Sequence, residues 1–378
     1  MDFYLHSSIH FEEWDWRNSV EKGIGGSETS HVEMAWRLAA RGHNVTTYAP
    51  IPADCPGEWR GTKWKPLKEA TFKEPGIWII YRDPSYIDEF PTKSKRKDQQ
   101  VWLLMQDWDY PNWTDKRLKE CDAIISMCKW HARNTVNKYP VSKDLIWLNS
   151  NGLKVELVEE TEKKNIKRNP KRIMYASSPD RGLKNALISF QKAREYVPDL
   201  EFHCFYGFDN IDKIIANNPK SYFKETKREL MSLMKQPGVT WHGRVSQNEL
   251  YEEWFKSGIW VYETDFQETS CITCMEAQAM GAIPIFSPVW AQGENIGYGV
   301  DIVGNSTDPL THARFAAEIV RLATNPELQE EIRKEMMPWA RERYNWEKFV
   351  DLWIAKAEGK PNPHPYPEIM SEEDWSVR

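Results

Sequence analysis

Two glutamates with seven residues between them, Glu268 and Glu276, stand in the run Thr264–Gly281. Ile259–Tyr262 reads as a strand before this run, and Ile283–Phe286 as a strand after it. That places Glu268 in a loop and Glu276 in a helix capped near Thr269 or Ser270. From there the two carboxylates face one cleft at different depths. Carboxylates accept hydrogen bonds only, which suits the hydroxyls of a sugar or a ribose. On spacing alone, two unrelated surface glutamates are the lesser alternative.

Two more segments carry chemistry of a matching kind. In Ser177-Ser178-Pro179-Asp180-Arg181-Gly182-Leu183-Lys184, the cations Arg181 and Lys184 are three apart at the mouth of a helix that follows a strand. On one face, beside a helix N-terminus, they suit a diphosphate and the charge that develops on it as a leaving group. Gly23-Ile24-Gly25-Gly26-Ser27-Glu28 precedes the helix pattern Thr29–Ala40. There glycines allow backbone amides close to an anion, with Ser27 as a cap. The segment is neither a GxGxxG fingerprint nor a P-loop. By itself it is equally an ordinary tight turn.

These segments sit in a repeating β-then-α rhythm. In the first half the strand patterns are Phe3–Leu5, Val45–Ala49, Ile77–Tyr81, Val101–Met105, Ala123–Ser126 and Ile146–Asn149. In the second half they are Arg172–Ala176, Glu201–Tyr206, Val239–His242, Ile259–Tyr262, Ile283–Phe286 and Asp301–Val303. Helical patterns alternate with them. Ser246 and Glu249 form a capping box, and Pro309 and Pro326 each open a helix. Lys154–Lys171 is rich in Glu and Lys and reads as a linker, with the boundary near residue 165. The fold class expected is α/β, with two Rossmann-like doubly wound domains facing across a cleft. Residues 1–165 form the first, 166–345 the second, and 346–378 a C-terminal helix and tail returning toward the first.

Composition narrows the function. The balance of 40% apolar and 28% charged residues is that of a soluble globular chain, and 378 residues call for more than one core. A net charge of −6 argues against a nucleic-acid partner. No run is long and apolar enough to span a bilayer, and Met1–His10 has no signal-peptide pattern, so the expected location is the cytoplasm. The Cys271-x-x-Cys274 pair has no second pair to complete a zinc site and reads as packing thiols. Among the 19 tryptophans, Trp14 and Trp16 stand in a polar stretch and are candidates for stacking on an acceptor.

The segment Phe266–Pro284 resembles the E-x7-E signature of family 4 glycosyltransferases, which have the two-Rossmann GT-B fold. Gly25-Gly26-Ser27-Glu28 with Arg41-Gly42-His43, Ser178–Lys184, Val239–Val245 with Glu249-Leu250, and Asn151-Gly152 resemble further family segments. They occur in the family's order from about residue 23 to 286. The resemblance implies a retaining, metal-independent glycosyltransferase without a cofactor. Its donor would be a nucleotide sugar, UDP-linked rather than GDP-linked, and its acceptor a glycan or other hydroxyl compound. Glu268 would contact the transferred sugar and Glu276 the ribose. Arg181 and Lys184, with the Gly26 amide, would meet the diphosphate. Gly25, Ser178, Gly243, Arg244, Thr269 and Ser270 would complete the donor site.

The chain departs from the family in two places. Glu268-Thr269-Ser270-Cys271 stands where many members have glycines after the first glutamate. Met105-Gln106-Asp107-Trp108 stands where many have a histidine, so Asp107 either takes that role near the reacting sugar or is a loop residue or cap. Asp107-Trp108-Asp109 matches a metal motif of the other glycosyltransferase fold, whose single-domain plan does not suit two halves. An epimerase, a phosphorylase or a non-catalytic carbohydrate-binding protein on the same scaffold are the competing readings. The Glu268/Glu276 and Arg181/Lys184 pairs favour transfer, and no pyridoxal-phosphate lysine motif is present. Peripheral contact with a membrane is compatible with all of these.

Overall fold

A computed structural model describes residues 1–8, 12–21, 23–110 and 112–376, apart from the side chain of Thr92. The ends of two stretches discussed above, Ile9-His10 and Val377-Arg378, lie outside the described residues. Among the described residues the strands form two sheets.

The first sheet contains β1 (Asp2–His6), β2 (Asn44–Ala49), β3 (Glu58–Trp59), β4 (Thr62–Pro66), β5 (Gly76–Tyr81), β6 (Gln99–Leu104), β7 (Ala123–Ser126) and β8 (Ile146–Leu148). Their order is β3-β4-β2-β1-β5-β6-β7-β8. All neighbours are parallel except β3 and β4. The second sheet contains β9 (Asn169–Tyr175), β10 (Glu201–Phe205), β11 (Val239–Gly243), β12 (Ser257–Tyr262), β13 (Ile283–Phe286) and β14 (Val300–Asp301). It is wholly parallel, in the order β11-β10-β9-β12-β13-β14. Continuous apolar runs such as Ile77-Trp78-Ile79-Ile80-Tyr81 suit central parallel strands, because helices cover both faces. In each sheet the chain reverses its winding beside the first strand, β1 or β9, so a crevice opens at the strands' carboxyl ends.

The helices of the first half are α1 (Trp16–Glu21), α2 (Gly26–Ala40), α3 (Asp115–Leu118) and α4 (Lys129–Lys138). After β8 come α5 (Val155–Glu162), α6 (Leu183–Arg194), α7 (Asp209–Asn217), α8 (Phe223–Leu233), α9 (Gln247–Lys256), α10 (Ile272–Met280) and α11 (Gln292–Asn295). The chain ends in α12 (Pro309–Ala323), α13 (Pro326–Arg343), α14 (Trp346–Ala357) and α15 (Glu372–Ser376). Ser246 accepts from the Glu249 amide at 3.2 Å, the cap that starts α9.

Two expectations need correction, and two further strands were not expected. Lys154–Lys171 is not an open linker but α5 and the start of β9; its many charges flank Val158, which is buried in the second core, so charge density masked a short amphipathic helix. The segment 50–70 adds β3 and β4, where Lys63 and Lys65 broke the apolar pattern at an outer strand. Ser27 does not cap α2: the helix starts one residue earlier, at Gly26, with Gly25 as its cap.

Helix α14 packs with the first half. Trp346, Phe349, Val350, Leu352 and Trp353 are buried in one cluster with Phe3, Leu5 and Met34. The buried Arg37 of α2 ties this arrangement together. It meets Glu33 on its own helix, Glu156 of α5 at 2.6 Å and Glu347 of α14 at 2.7 Å. A buried guanidinium is tolerated only when it is paired in this way.

Replacing Arg37 with Met should therefore lower the unfolding free energy by about 3 kcal/mol, because Glu33 stays buried with less compensation. Glu156→Gln removes a half-exposed partner and should cost less than about 1 kcal/mol. Urea denaturation of both variants checks this. Equal losses in the two would remove Arg37 from its central place.

Candidate functional site

Helices α2 and α10 point their N-termini into the crevice between the sheets. Gly25 leads into α2, and its carbonyl accepts from both the amide and the hydroxyl of Thr29 at 2.9 Å. Cys271 leads into α10. The two starts approach closely: a Cβ on Gly26 would lie 3.3 Å from Ile272 Cδ1. The first amides of a helix lack intrahelical partners and carry its positive end. Two such ends meeting in one crevice make a place for an anion. The cavity here, about 250 Å³, is lined from both halves of the chain.

Arg181 enters the cavity from the loop after β9. Gly182 has φ +106°, and a Cβ there would collide with the Glu263 carbonyl. Only glycine allows this turn under the end of β12. The turn carries Arg181 to Glu268, with Nη1 2.9 Å from Oε1, and over the Phe266 ring at 4.3 Å. The same Glu268 oxygen accepts the Tyr262 hydroxyl at 2.7 Å. Burial, followed by the Glu268 charge, pushes the Tyr262 hydroxyl well up, so it remains a donor. Burial works against the charge on Arg181, but Glu268 outweighs it and the guanidinium stays protonated.

Glu276 lies deeper, one wall further along α10. Its carboxylate accepts Trp254 Nε1 at 3.2 Å. Burial pushes this carboxyl up to about 7, against hydrogen bonds from Trp254, Gln247 and Tyr251 and the attraction of Lys154. At the other end of the cavity Gly243 has φ +73°, and Arg244 lies 5.1 Å over the Tyr206 ring and 3.4 Å from Glu12 across the crevice.

Gly25, Gly26, Ser178, Arg181, Gly243, Arg244, Glu268, Ser270 and Glu276 all line this one cavity. Three other expected residues do not. Lys184 pairs with Glu229 of α8 at 2.6 Å. Helix α6 begins only at Leu183, after the left-handed Gly182, so Arg181 and Lys184 never share a helical face. Asp107 is held by Arg82 Nε at 2.6 Å, outside the cavity lining. Thr269 spends its hydroxyl on the Gln106 carbonyl at 2.7 Å, which joins the two halves instead of facing the cavity. The two acids of Asp107-Trp108-Asp109 are drawn apart by separate cations, since Asp109 pairs with Lys138 at 2.7 Å.

Trp14 and Trp16 also change roles. Trp14 is 1% exposed and packs edge-on to His31 and Trp64. Trp16 stacks on Trp59 at 5.0 Å. Both brace the edge of the first sheet. Sequence reading missed Ser177 and Thr273, whose hydroxyls meet at 2.9 Å in the cavity wall. Thr273 lies three residues before Glu276, a helical spacing that would have placed it on the same face. Tyr206 was missed as well, although it follows the carboxyl end of β10, where ligands gather.

Residues 158–337 match the family model described as "Glycosyl transferases group 1". Among curated proteins no relative matches. Solved structures share the architecture. Sucrose-phosphate synthase from Thermosynechococcus elongatus is 13% identical, with a TM-score of 0.67 over 95% of this chain and 98% of its own. A glycosyltransferase from Rickettsia africae is 14% identical, with a TM-score of 0.70 over 95% and 98%. Anabaena HepE, solved with UDP and glucose, is 11% identical, with a TM-score of 0.68 over 95% and 99%. The fold is the GT-B arrangement, and together with the family match it indicates a glycosyltransferase. No helix among the described residues is long and apolar enough to cross a membrane.

The environment of Glu276 has a consequence for stability. Its carboxyl ionises near 4.5 when unfolded and near 7 when folded, so the folded state holds the proton more tightly. Unfolding free energy should fall as pH rises from 4.5 to 7, by on the order of 3 kcal/mol from this group. Glu276→Gln should flatten that fall. Denaturant titrations of both proteins at pH 5 and pH 7.5 check it; an unchanged slope would contradict the buried environment.

Proposed function

We propose that this chain is a retaining glycosyltransferase of family 4. It moves a sugar from a UDP-sugar to a hydroxyl acceptor without a catalytic metal. The observation that carries the reading is the contact of Arg181 with Glu268 at the point where the starts of α2 and α10 converge. Cationic charge and free amides gather there for a diphosphate, and a carboxylate stands beside them for the sugar. The donor base is taken as uracil on the strength of Anabaena HepE, which was solved with UDP and glucose.

In this reading the diphosphate lies between the Gly26 and Ile272 ends and meets Arg181. The base extends toward Arg244 and Tyr206. The ribose hydroxyls reach Glu276, and the transferred sugar's hydroxyls reach Glu268. Glu268 is already engaged by Tyr262 and Arg181, which suits holding hydroxyls better than attacking carbon. The sugar–phosphate bond breaks as negative charge builds on the diphosphate, where Arg181 and the two helix ends offset it. The departing phosphate takes the acceptor's proton on the same face, and the configuration is retained. Residues 1–165 supply the acceptor side, 166–345 the donor side, and 346–378 return to the first half. Lys184 and Asp107 have no part in this scheme. The reaction belongs to the cytoplasm, and the acceptor is free or presented at a membrane surface.

A thermal-shift screen in EDTA with UDP, GDP, ADP and their sugar conjugates tests the donor site, because a ligand that prefers the folded state raises the melting point. UDP compounds should shift it selectively, and no shift with any nucleotide would overturn the reading. With an acceptor found, Glu268→Gln should lower kcat about 100-fold, a loss near 3 kcal/mol. Glu276→Ala should mainly weaken nucleotide binding. NMR of the product should show the donor's anomeric configuration. An inverted product, or an epimerised donor without transfer, would refute retention or transfer respectively.

A further inference from the structure

The CxxC pair is not used by this scheme, and the fold gives it a particular position. Cys271 is the residue that leads into α10, and Cys274 follows in the helix's first turn. Cys271 lines the cavity, whereas Cys274 is fully buried beneath it. Cys274 Sγ lies 4.0 Å from the Asn295 carbonyl, and burial, with Cys271 nearby, pushes its thiol well up. Residues three apart at a helix start bring their Cα atoms within the separation that a disulfide requires. All six cysteines of the chain are free, and the other four have no cysteine partner three residues away.

We infer that Cys271 and Cys274 are a reversible oxidation site built into the wall of the donor cavity, with a hydroperoxide as the oxidant. Access sets the order of events. Hydrogen peroxide reaches Cys271 through the cavity that it lines. The sulfur attacks one peroxide oxygen, the O–O bond breaks, and Cys271 becomes a sulfenic acid with release of water. Cys274 then attacks that sulfur. The S–S bond forms, the S–O bond breaks, and the departing hydroxide takes the Cys274 proton as a second water. Two thiols are oxidised and one peroxide is reduced to two waters. A dithiol reverses the reaction by exchange.

The bond would act on the site through contacts already present. Cys271 Sγ lies 3.2 Å from the Thr273 hydroxyl, and that hydroxyl meets Ser177 at 2.9 Å in the cavity wall. Turning Cys271 Sγ toward Cys274 breaks the first contact and loosens the second. The wall between the α10 start and the loop carrying Arg181 then shifts, and donor binding weakens. A bound donor would in turn cover Cys271.

The test treats the whole protein with hydrogen peroxide and maps cysteines by mass spectrometry after alkylation without reduction. The expected product is a peptide containing Cys271 and Cys274 that has lost two hydrogens and is restored by dithiothreitol. The half-exposed Cys55 serves as the internal control for unselective oxidation. In Cys274→Ser the disulfide cannot form, and Cys271 should proceed to sulfinic acid, which dithiothreitol does not reverse. Alkylation of both cysteines in peroxide-treated wild type, at the level seen before treatment, would overturn the proposal. UDP present during oxidation should slow disulfide formation at least several-fold. Only this last arm rests on the donor-site reading. A disulfide that forms equally fast with and without UDP would overturn the coupling to donor binding and leave the oxidation site standing.

Discussion

The close approach of two helix starts governs this molecule. Helix α2 belongs to the first sheet's half and α10 to the second, yet a Cβ on Gly26 would stand only 3.3 Å from Ile272. Two positive helix ends at such range repel each other unless negative charge lies between them. Glu268 lines the same cavity, and Arg181 is held beside it by the turn at Gly182. The crevice thus suits an anion, and the proposed function sets the phosphate at the helix ends, the sugar beside Glu268 and the ribose over Glu276.

The two halves must be held at a fixed distance for this to work. Several contacts do so from different sides. Arg37 joins α2 to α5 and α14, and the aromatic face of α14 fills the first core although it follows the second in the chain. On the far side, Glu294 of α11 accepts the Lys129 and Trp130 amides at 2.7 and 2.6 Å, so a carboxylate from one half sits at the start of helix α4 in the other. Thr269 on Gln106 adds a short link at the centre. Residues near Glu268 therefore have structural duties as well as chemical ones.

Much of the fold was legible because buried parallel strands leave unbroken apolar runs, as in β5, β6, β7, β12 and β13, whereas the charged β3 and β4 at the sheet's edge leave none. The lining of the cavity was legible where backbone geometry demands particular residues, as at Gly25-Gly26, or where carboxylates stand in an otherwise apolar segment, as at Glu276. What failed did so for local reasons. The pairing of Arg181 with Lys184 assumed a continuous helix, but the left-handed Gly182 separates them. Asp107 looked available until Arg82, far off in sequence, proved to hold it. Trp14 stood among polar residues and still lies in the core, because its neighbours come from β2, β4 and α2. Pairing at a distance and burial by distant strands leave no mark on short-range pattern.

Hydrogen exchange with and without UDP tests most directly whether the two helix ends share one anion. The amides of Gly26, Ser27 and Ile272–Cys274 have no intrahelical acceptors and should exchange quickly in the free protein. UDP should slow both sets together, while uridine lacking phosphates should slow neither. Protection of only one helix start, or protection by uridine equal to that by UDP, would contradict it.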